Sequence, residues 1–122
     1  MVDTTATRFR PEKSAIMSRT VSIRPQAIAD LNTHADYLSQ QDVSVGFRFF
    51  DAARQTFADL ARIPGIGSAY ETNNSSLQTL RKWRVKGFEK FLIFYIMEQN
   101  SIEIVRVLYA AQNIQDILQQ EE

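Results

Sequence analysis

Apolar residues recur along residues 26–62 at the three- and four-residue steps of a helix face. Within 26–40, and again within 43–62, the steps run 3, 4 and 3. The members of the two stripes are Ile28, Leu31, Ala35, Leu38, Phe50, Ala53, Phe57 and Leu60. Pro25 suits the start of the first helix, and Asp42 suits the N-cap of the second. Because only a few residues separate the two stripes, the pattern predicts an antiparallel helical hairpin.

Alternating and continuous apolar runs predict four strands. The β-branched run TVSIR at residues 20–24 precedes the helices, and three more runs follow a long polar loop at residues 64–78. These three strands are Leu80–Val85, Phe88–Met97 and Ile102–Tyr109. Short turns join them, so they form an antiparallel meander. Residues 91–97 are apolar on both faces, which indicates a central strand that is covered on both sides.

The predicted fold is α+β, with a helical hairpin packed on an antiparallel β-sheet in two layers. The element order is β-α-α-β-β-β, and a short C-terminal helix follows at about Asn113–Leu118. Residues 20–118 form the single domain, and residues 119–122 form a polar tail. Residues 1–19 are expected to be a disordered N-terminal extension, because residues 1–16 show neither helical nor strand periodicity and Met17 reads like a natural start.

Composition narrows the classes of function. The chain has 122 residues, which favours one domain, and no apolar run approaches the ~20 residues of a membrane helix. The absence of cysteine excludes disulfides, thiol chemistry and cysteine–zinc sites, and it fits a cytoplasmic location. The formal net charge is zero, which argues against a general nucleic-acid binder. The glycines match no phosphate-binding pattern, so we expect neither a cofactor nor a metal.

Charge is concentrated at residues 81–90, where five bases face one acid, a local net charge of +4. The bases are Arg81, Lys82, Arg84, Lys86 and Lys90. Alternation along a strand places Lys82, Arg84 and Lys86 on one outward face, while Trp83 and Val85 face the core. This ladder of bases has two interpretations. The ladder is either a solvated surface without a role or a contact for an acidic partner.

Arg106 and His34 are further polar residues whose positions in the pattern need an explanation. Arg106 interrupts a strongly apolar strand, so it must reach solvent along its aliphatic stem, pair with an acid or line a groove. Glu103 and Glu98 are the local candidates for the acid. His34 is the sole histidine, and we expect it on the surface of the first helix, without a catalytic role. Asp30 and Asp36 lie off the apolar stripe of that helix.

The run VKGFEKFLIFY, followed by IEIVRVLYAAQNIQDIL, resembles the closing half of toxins in the RelE/ParE superfamily. The segment IRPQAIADLNTHADYLSQQDVSVGFRFFDA is similar to the strand and helical hairpin of the same family, and the resemblance covers residues 21–118. It implies the toxin component of a bacterial type II toxin–antitoxin, or plasmid stabilisation, system. It also implies a small cognate antitoxin whose acidic, amphipathic C-terminal segment wraps the sheet and covers its second face.

The resemblance leaves two modes of action. ParE-like members poison DNA gyrase by protein–protein contact, and RelE-like members cleave mRNA on the ribosome. RNA cleavage needs a base, an acid and cations, yet no Lys, Arg, His or Tyr follows Tyr109. The ParE-like mode is therefore favoured. It implies that the protein has no catalytic site, that DNA gyrase is a further partner and that the protein makes no direct contact with nucleic acid. In the alternative nuclease, Arg81, Arg84, Arg106 and Tyr109 form the site.

For antitoxin binding, the sequence points to the three bases of the ladder, with Arg106 at the groove. They are Lys82, Arg84, Lys86 and Arg106. The chain departs from its relatives where they commonly have H-G-A-R-D, since it has Tyr109-Ala110-Ala111-Gln112-Asn113. A non-toxic family member that only binds antitoxin is therefore a third alternative.

Overall fold

The computed structural model of the protein describes residues 7–10 and 18–122. In these ranges the chain forms six strands and three α-helices. The strands are β1 (Thr7–Phe9), β2 (Thr20–Ile23), β3 (Ser68–Ala69), β4 (Leu80–Val85), β5 (Phe88–Met97) and β6 (Ser101–Tyr109). The helices are α1 (Pro25–Ser39), α2 (Val43–Arg62) and α3 (Ile114–Gln119). No helix in the described part of the chain combines the length and the apolar character needed to cross a membrane.

The strands form one sheet in the order β1-β2-β6-β5-β4-β3. The β4–β5–β6 meander is antiparallel, as predicted, whereas β2 runs parallel to β6. The predicted two-layer α+β fold and its element order are confirmed. The sheet extends beyond the prediction at both edges, because the short strands β1 and β3 pair with β2 and β4.

The helical hairpin covers the first face of the sheet and encloses the main core. The apolar face of α2 starts at Phe49, which is fully buried, whereas Phe50, predicted to start that face, is 39% exposed. Gly46 lies where α2 crosses α1, and a Cβ there would clash with Ser39 and lie 2.9 Å from the carbonyl oxygen of Ala35. The hairpin therefore packs closely because one position lacks a side chain.

A smaller cluster lies on the second face of the sheet, under α3 and the loop that follows α2. Its fully or almost fully buried members are Leu77, Leu80, Phe94, Val105, Leu108 and Leu118. Tyr70, Ile114 and Ile117 pack around them. A partner was expected to cover this face of the sheet. At the centre of the face this expectation is wrong, because the chain's own α3 and loop cover it.

The N-terminal residues and the final residues differ from the expectation. Thr7–Phe9 pairs with β2 although residues 1–19 were expected to be disordered, and the Arg10 guanidinium donates to Thr20 Oγ1 at 2.9 Å. Residues 1–6 and 11–17 lie outside the described residues. In the expected polar tail, the backbone of Glu121 accepts a hydrogen bond from Asn74 Nδ2 at 2.6 Å. Part of the tail is therefore attached to the domain.

Candidate protein-binding surfaces

Strand β4 divides its side chains between the two faces of the sheet. Leu80 belongs to the cluster under α3, while Trp83 and Val85 pack on the core under the helical hairpin. Lys82 and Arg84 alternate with these core residues. The Lys82 ammonium lies 5.5 Å from the centre of the Tyr70 ring, a distance that permits a cation–π interaction.

Lys86 does not join the predicted ladder. The register shifts between Arg84 and Val85, β4 ends at Val85, and Gly87 takes a φ of 77° in the turn that follows. The Lys86 backbone N–H donates to Thr56 Oγ1 on α2 at 3.0 Å. The prediction of three bases on one strand face is wrong at this position, because β4 ends at Val85 and Lys86 lies in the turn beside α2.

The four residues of the alternative nuclease site have separate partners. Arg81 donates to the carbonyl oxygens of Gly65 and Gly67 and so holds the loop after α2. Arg84 pairs with Glu89 at 3.1 Å, and its guanidinium lies 4.3 Å from the centre of the Trp83 ring. The ring of Tyr109 packs on that of Phe91, with 5.1 Å between centroids. These contacts hold structure, and they do not converge on one reacting group.

Arg106 is held in a buried network of carboxylates. Its Nε and one terminal nitrogen each donate to Asp30 at 2.7 Å, and its other terminal nitrogen donates to Glu121 at 2.9 Å. The pKa of Arg106 is raised above its ordinary value, chiefly by the hydrogen bond to Asp30. Neither predicted partner is correct, since Glu103 pairs with Arg24 at 3.1 Å and Glu98 accepts from Ser101 at 3.1 Å.

The network exists because β2 is too short to cover the edge of β6. β2 pairs with β6 only as far as Ile104, and α1 follows directly. Farther along β6, Asp30 accepts from the Val107 N–H at 3.0 Å, and His34 Nε2 lies 2.8 Å from the Val107 carbonyl oxygen. A carbonyl oxygen only accepts, so Nε2 donates. Two side chains of α1 thus replace a neighbouring strand.

This arrangement corrects the expectation for His34. It is buried rather than on the helix surface, and its ring contacts the edges or faces of Phe49 and Phe91 at centroid distances of 6.0 and 4.9 Å. Asp30 and His34 are four residues apart and therefore share one side of α1. That four-residue spacing is the feature of the sequence that could have identified the pair. Neither residue belongs to the apolar stripe from which the buried face of the helix was predicted.

An open groove of about 910 Å³ lies beside Arg106. Its lining residues are Arg24, Pro25, Gln26, Glu103, Arg106, Ile117, Gln120, Glu121 and Glu122. Two arginines therefore face three glutamates. While Glu121 occupies this place, the groove offers no surplus of positive charge to an acidic partner.

A second surface surrounds Phe88, where two shallow grooves of about 250 and 450 Å³ share that side chain. We name it the Phe88 surface. It is lined by Tyr37, Leu38, Arg48, Asp51, Ala52, Gln55, Lys86, Gly87, Phe88, Glu89, Lys90, Phe91 and Tyr109. It spans both helices of the hairpin and the turn between β4 and β5.

The Phe88 surface carries positive charge that the chain does not neutralise. Within residues 7–10 and 18–122, no carboxylate lies within 4.0 Å of the cationic groups of its three bases. They are Arg48, Lys86 and Lys90. Its two acids are engaged, since Asp51 pairs with Arg54 and Glu89 with Arg84. Beside these bases Tyr37 is 64% exposed. The sequence marked Lys86 and missed Arg48, which lies 38 positions away on α2.

Comparisons with known proteins agree on one family. A sequence profile of the ParE toxin of the type II toxin–antitoxin system parDE matches residues 21–114. The chain is similar in structure to a protein of a chromosomal ParDE toxin–antitoxin system from P. aeruginosa. The two share 14% sequence identity at a TM-score of 0.60, over 76% of this chain and 96% of the other. No curated protein gives a significant sequence match. Among the described residues, no cluster of His, Cys, Asp and Glu suits a metal ion.

Proposed function

The chain belongs to the ParE toxin family of type II toxin–antitoxin systems, and from that premise we propose that it inhibits DNA gyrase by protein–protein contact. A cognate antitoxin neutralises it, and both proteins act in the cytoplasm. The observation that supports the contact is the Phe88 surface, where three bases without carboxylate partners in the described chain adjoin the exposed ring of Tyr37 and the half-buried rings of Phe88 and Tyr109. Such a surface favours an acidic, amphipathic polypeptide segment.

The separate partners of Arg81, Arg84, Arg106 and Tyr109 support inhibition by contact over RNA cleavage. A nuclease needs its acid, base and cations around one phosphate. Here Arg81 and Arg106 hold loops and edges of the fold. One terminal nitrogen of Arg81 donates to the carbonyl oxygens of Gly65 and Gly67, and all three nitrogens of Arg106 donate to Asp30 or Glu121. The expected result is inhibition of supercoiling by purified gyrase, together with growth arrest when the chain is expressed alone.

Two outcomes would contradict this function. Supercoiling that is unaffected by a large molar excess of the protein would exclude gyrase as the target. Codon-phased cuts in mRNA from a translating extract would instead establish the ribosome-dependent nuclease.

The turn at residues 109–113 supports one second candidate, a family member that binds antitoxin without toxicity. The chain has Tyr109-Ala110-Ala111-Gln112-Asn113 in place of the family's H-G-A-R-D, so no arginine or aspartate projects there. Gln112 instead accepts the Tyr109 N–H at 2.7 Å within the turn. Harmless overexpression combined with tight antitoxin binding would favour this candidate over the gyrase inhibitor.

The antitoxin site that we propose retains part of the set that the sequence suggested. Lys86 is retained and is joined by Arg48 and Lys90, with Arg84 at the rim. Lys82 and Arg106 contribute less, because Lys82 lies against Tyr70 and Arg106 is already neutralised. The antitoxin's acidic segment then lies along the turn between β4 and β5 and against the helical hairpin.

Charge reversal tests this site. The double variant Lys86→Glu with Lys90→Glu should weaken antitoxin binding at least tenfold, which corresponds to about 1.4 kcal/mol. Arg8→Glu with Arg62→Glu is a matched control, because it changes the net charge equally at exposed positions outside the surface. Calorimetry or surface plasmon resonance gives both affinities. If both double variants lost the same antitoxin affinity, the effect would come from net charge at long range, and the proposed site would be excluded.

A further inference from the structure

Helix α2 carries a second apolar stripe, which the described part of the chain leaves exposed. Val43, Phe47 and Phe50 are 62%, 69% and 39% exposed. They are separated by steps of four and three residues, and Arg54 follows after a further four. Residues at such steps lie on one side of a helix. We name the stripe of residues 43, 47, 50 and 54 the α2 seam.

The steps of the α2 seam define the shape of its occupant. Alternating steps of four and three residues are those of the a and d positions of a coiled coil, whose side chains pack against a second helix. Apolar side chains that lie side by side on a surface mark a contact more often than single ones do. The occupant is therefore an amphipathic helix with a matching seam. Helix α2 is itself such a helix, with 20 residues.

The charges beside the α2 seam do not suit a strongly acidic or a strongly basic partner. Asp42, Arg48, Asp51 and Arg54 alternate in sign along the chain, their charges sum to zero, and all four are exposed. Asp51 and Arg54 lie 3.3 Å apart, with side chains that are 66% and 71% exposed. The two carboxylates would repel an acidic segment of the kind that suits the Phe88 surface.

The order of these charges is complementary to its own reverse. Read backwards, the series minus, plus, minus, plus becomes plus, minus, plus, minus. An antiparallel copy of α2 therefore places Arg54 opposite Asp42, and Asp51 opposite Arg48. In a parallel pair each charge would face its like, which is unfavourable. The charges thus select a second α2 that runs in the opposite direction.

We propose that a second copy of this chain packs its α2 antiparallel on the α2 seam and so forms a two-fold symmetric dimer. An axis midway between Phe47 and Phe50 places each of these rings against the other in the second copy. Val43 then packs on the aliphatic stem of Arg54. This dimer does not depend on gyrase being the target or on where the antitoxin binds.

Sedimentation equilibrium of the purified whole chain measures this association. The antitoxin is left out, because Arg48 also lines the Phe88 surface. An interface of a few side chains on each copy is small, so we expect a dissociation constant of about 10 µM. Phe47→Ser should weaken the association at least tenfold, because it removes the most exposed ring of the α2 seam.

Ile63→Ser is the matched control for Phe47→Ser. Ile63 is also apolar and 55% exposed, but it lies beyond the end of α2 and outside the α2 seam. This variant should keep the wild-type dissociation constant. Circular dichroism of both variants checks that they are folded, which is expected because each change is at an exposed position.

A mixture of two charge variants tests the orientation of the helices. Arg48→Asp places two carboxylates at each contact with residue 51 of the second copy, and Asp51→Arg places two guanidinium groups at each contact with residue 48. Each variant alone should therefore associate at least about threefold more weakly than wild type. In an equimolar mixture one contact has its charges exchanged and the other is native. The mixed dimer should therefore form within about twofold of the wild-type affinity.

Three results would overturn the proposal. A chain that stays monomeric at about 1 mM would show that a different protein covers the α2 seam. Equal dissociation constants for wild type and Phe47→Ser would place the contact between copies elsewhere. A mixture that associates no more tightly than either charge variant alone would exclude the antiparallel arrangement.

Discussion

The Arg106 network and the Phe88 surface contain similar ingredients and differ in what surrounds them. In the network, the guanidinium of Arg106 meets Asp30 at 2.7 Å and Glu121 at 2.9 Å, and its side chain is 12% exposed. On the Phe88 surface, Lys86 and Lys90 are exposed, with no carboxylate of the described chain within 4.0 Å. The same type of charge is thus structural in one region and available for binding in the other. The two regions differ in whether a carboxylate from elsewhere in the fold lies beside the base, and not in the type of charge that the base carries.

The largest effect should follow the loss of Asp30. Asp30→Ala leaves the Arg106 charge with one partner fewer and the Val107 N–H unpaired, so we expect a loss of about 3–5 kcal/mol in the free energy of unfolding. Urea denaturation measures it. Asp36→Ala, on the exposed side of the same helix, is the control and should change the free energy by less than about 0.5 kcal/mol. If Asp30→Ala changed the free energy of unfolding as little as Asp36→Ala, the Arg106 network would not stabilise the fold.

The second effect in size concerns His34. His34→Ala removes the donor to the Val107 carbonyl oxygen and leaves a cavity beside Phe49 and Phe91, so the free energy of unfolding should fall by about 2–4 kcal/mol. The exposed Asn32→Ala on the same helix should have almost no effect. A loss below about 1 kcal/mol for His34→Ala would show that water or another donor satisfies this edge of β6.

The reversed bases of the Phe88 surface should behave in the opposite way. Lys86→Glu with Lys90→Glu should change the free energy of unfolding by less than about 0.5 kcal/mol, although we expect the same variant to weaken antitoxin binding. The binding of the wild-type protein should weaken as salt rises, because its exposed charges are screened. A loss of several kcal/mol in the free energy of unfolding would show that these lysines, like Arg106, stabilise the fold.

The smallest effect links Arg48 to the N-cap of α2. The pKa of Asp42 is lowered, first by the Ser44 hydroxyl, then by the Ser44 N–H, and least by the charge of Arg48. The resulting stabilisation is present above the ordinary value of 3.8 and is lost as pH falls through the lower folded pKa. Arg48→Gln should raise the pKa of Asp42 slightly in an NMR titration. An unchanged value would mean that the Arg48 charge is too well screened to reach the cap.

Local patterns in the sequence determined most of the fold. The steps of 3 and 4 predicted the helical hairpin, and the short turns predicted the meander, because both depend on neighbours within a few residues. The run from Val85 to Tyr95 and the later IEIVRVL carried the family resemblance that the profile match confirms. The sequence also showed that the positive charge is concentrated in β4 and the residues that follow it.

Only the tertiary structure decided which charges are available. Arg106 meets Asp30 across 76 positions of sequence because β2 ends early and α1 must satisfy the edge of β6. Lys86 leaves its predicted face because β4 ends at Val85 and the chain turns at Gly87. Arg48 reaches the same surface because α2 packs beside the turn between β4 and β5. Strand length, bulges and helix docking depend on contacts between distant residues, and a period along the chain carries no information about them.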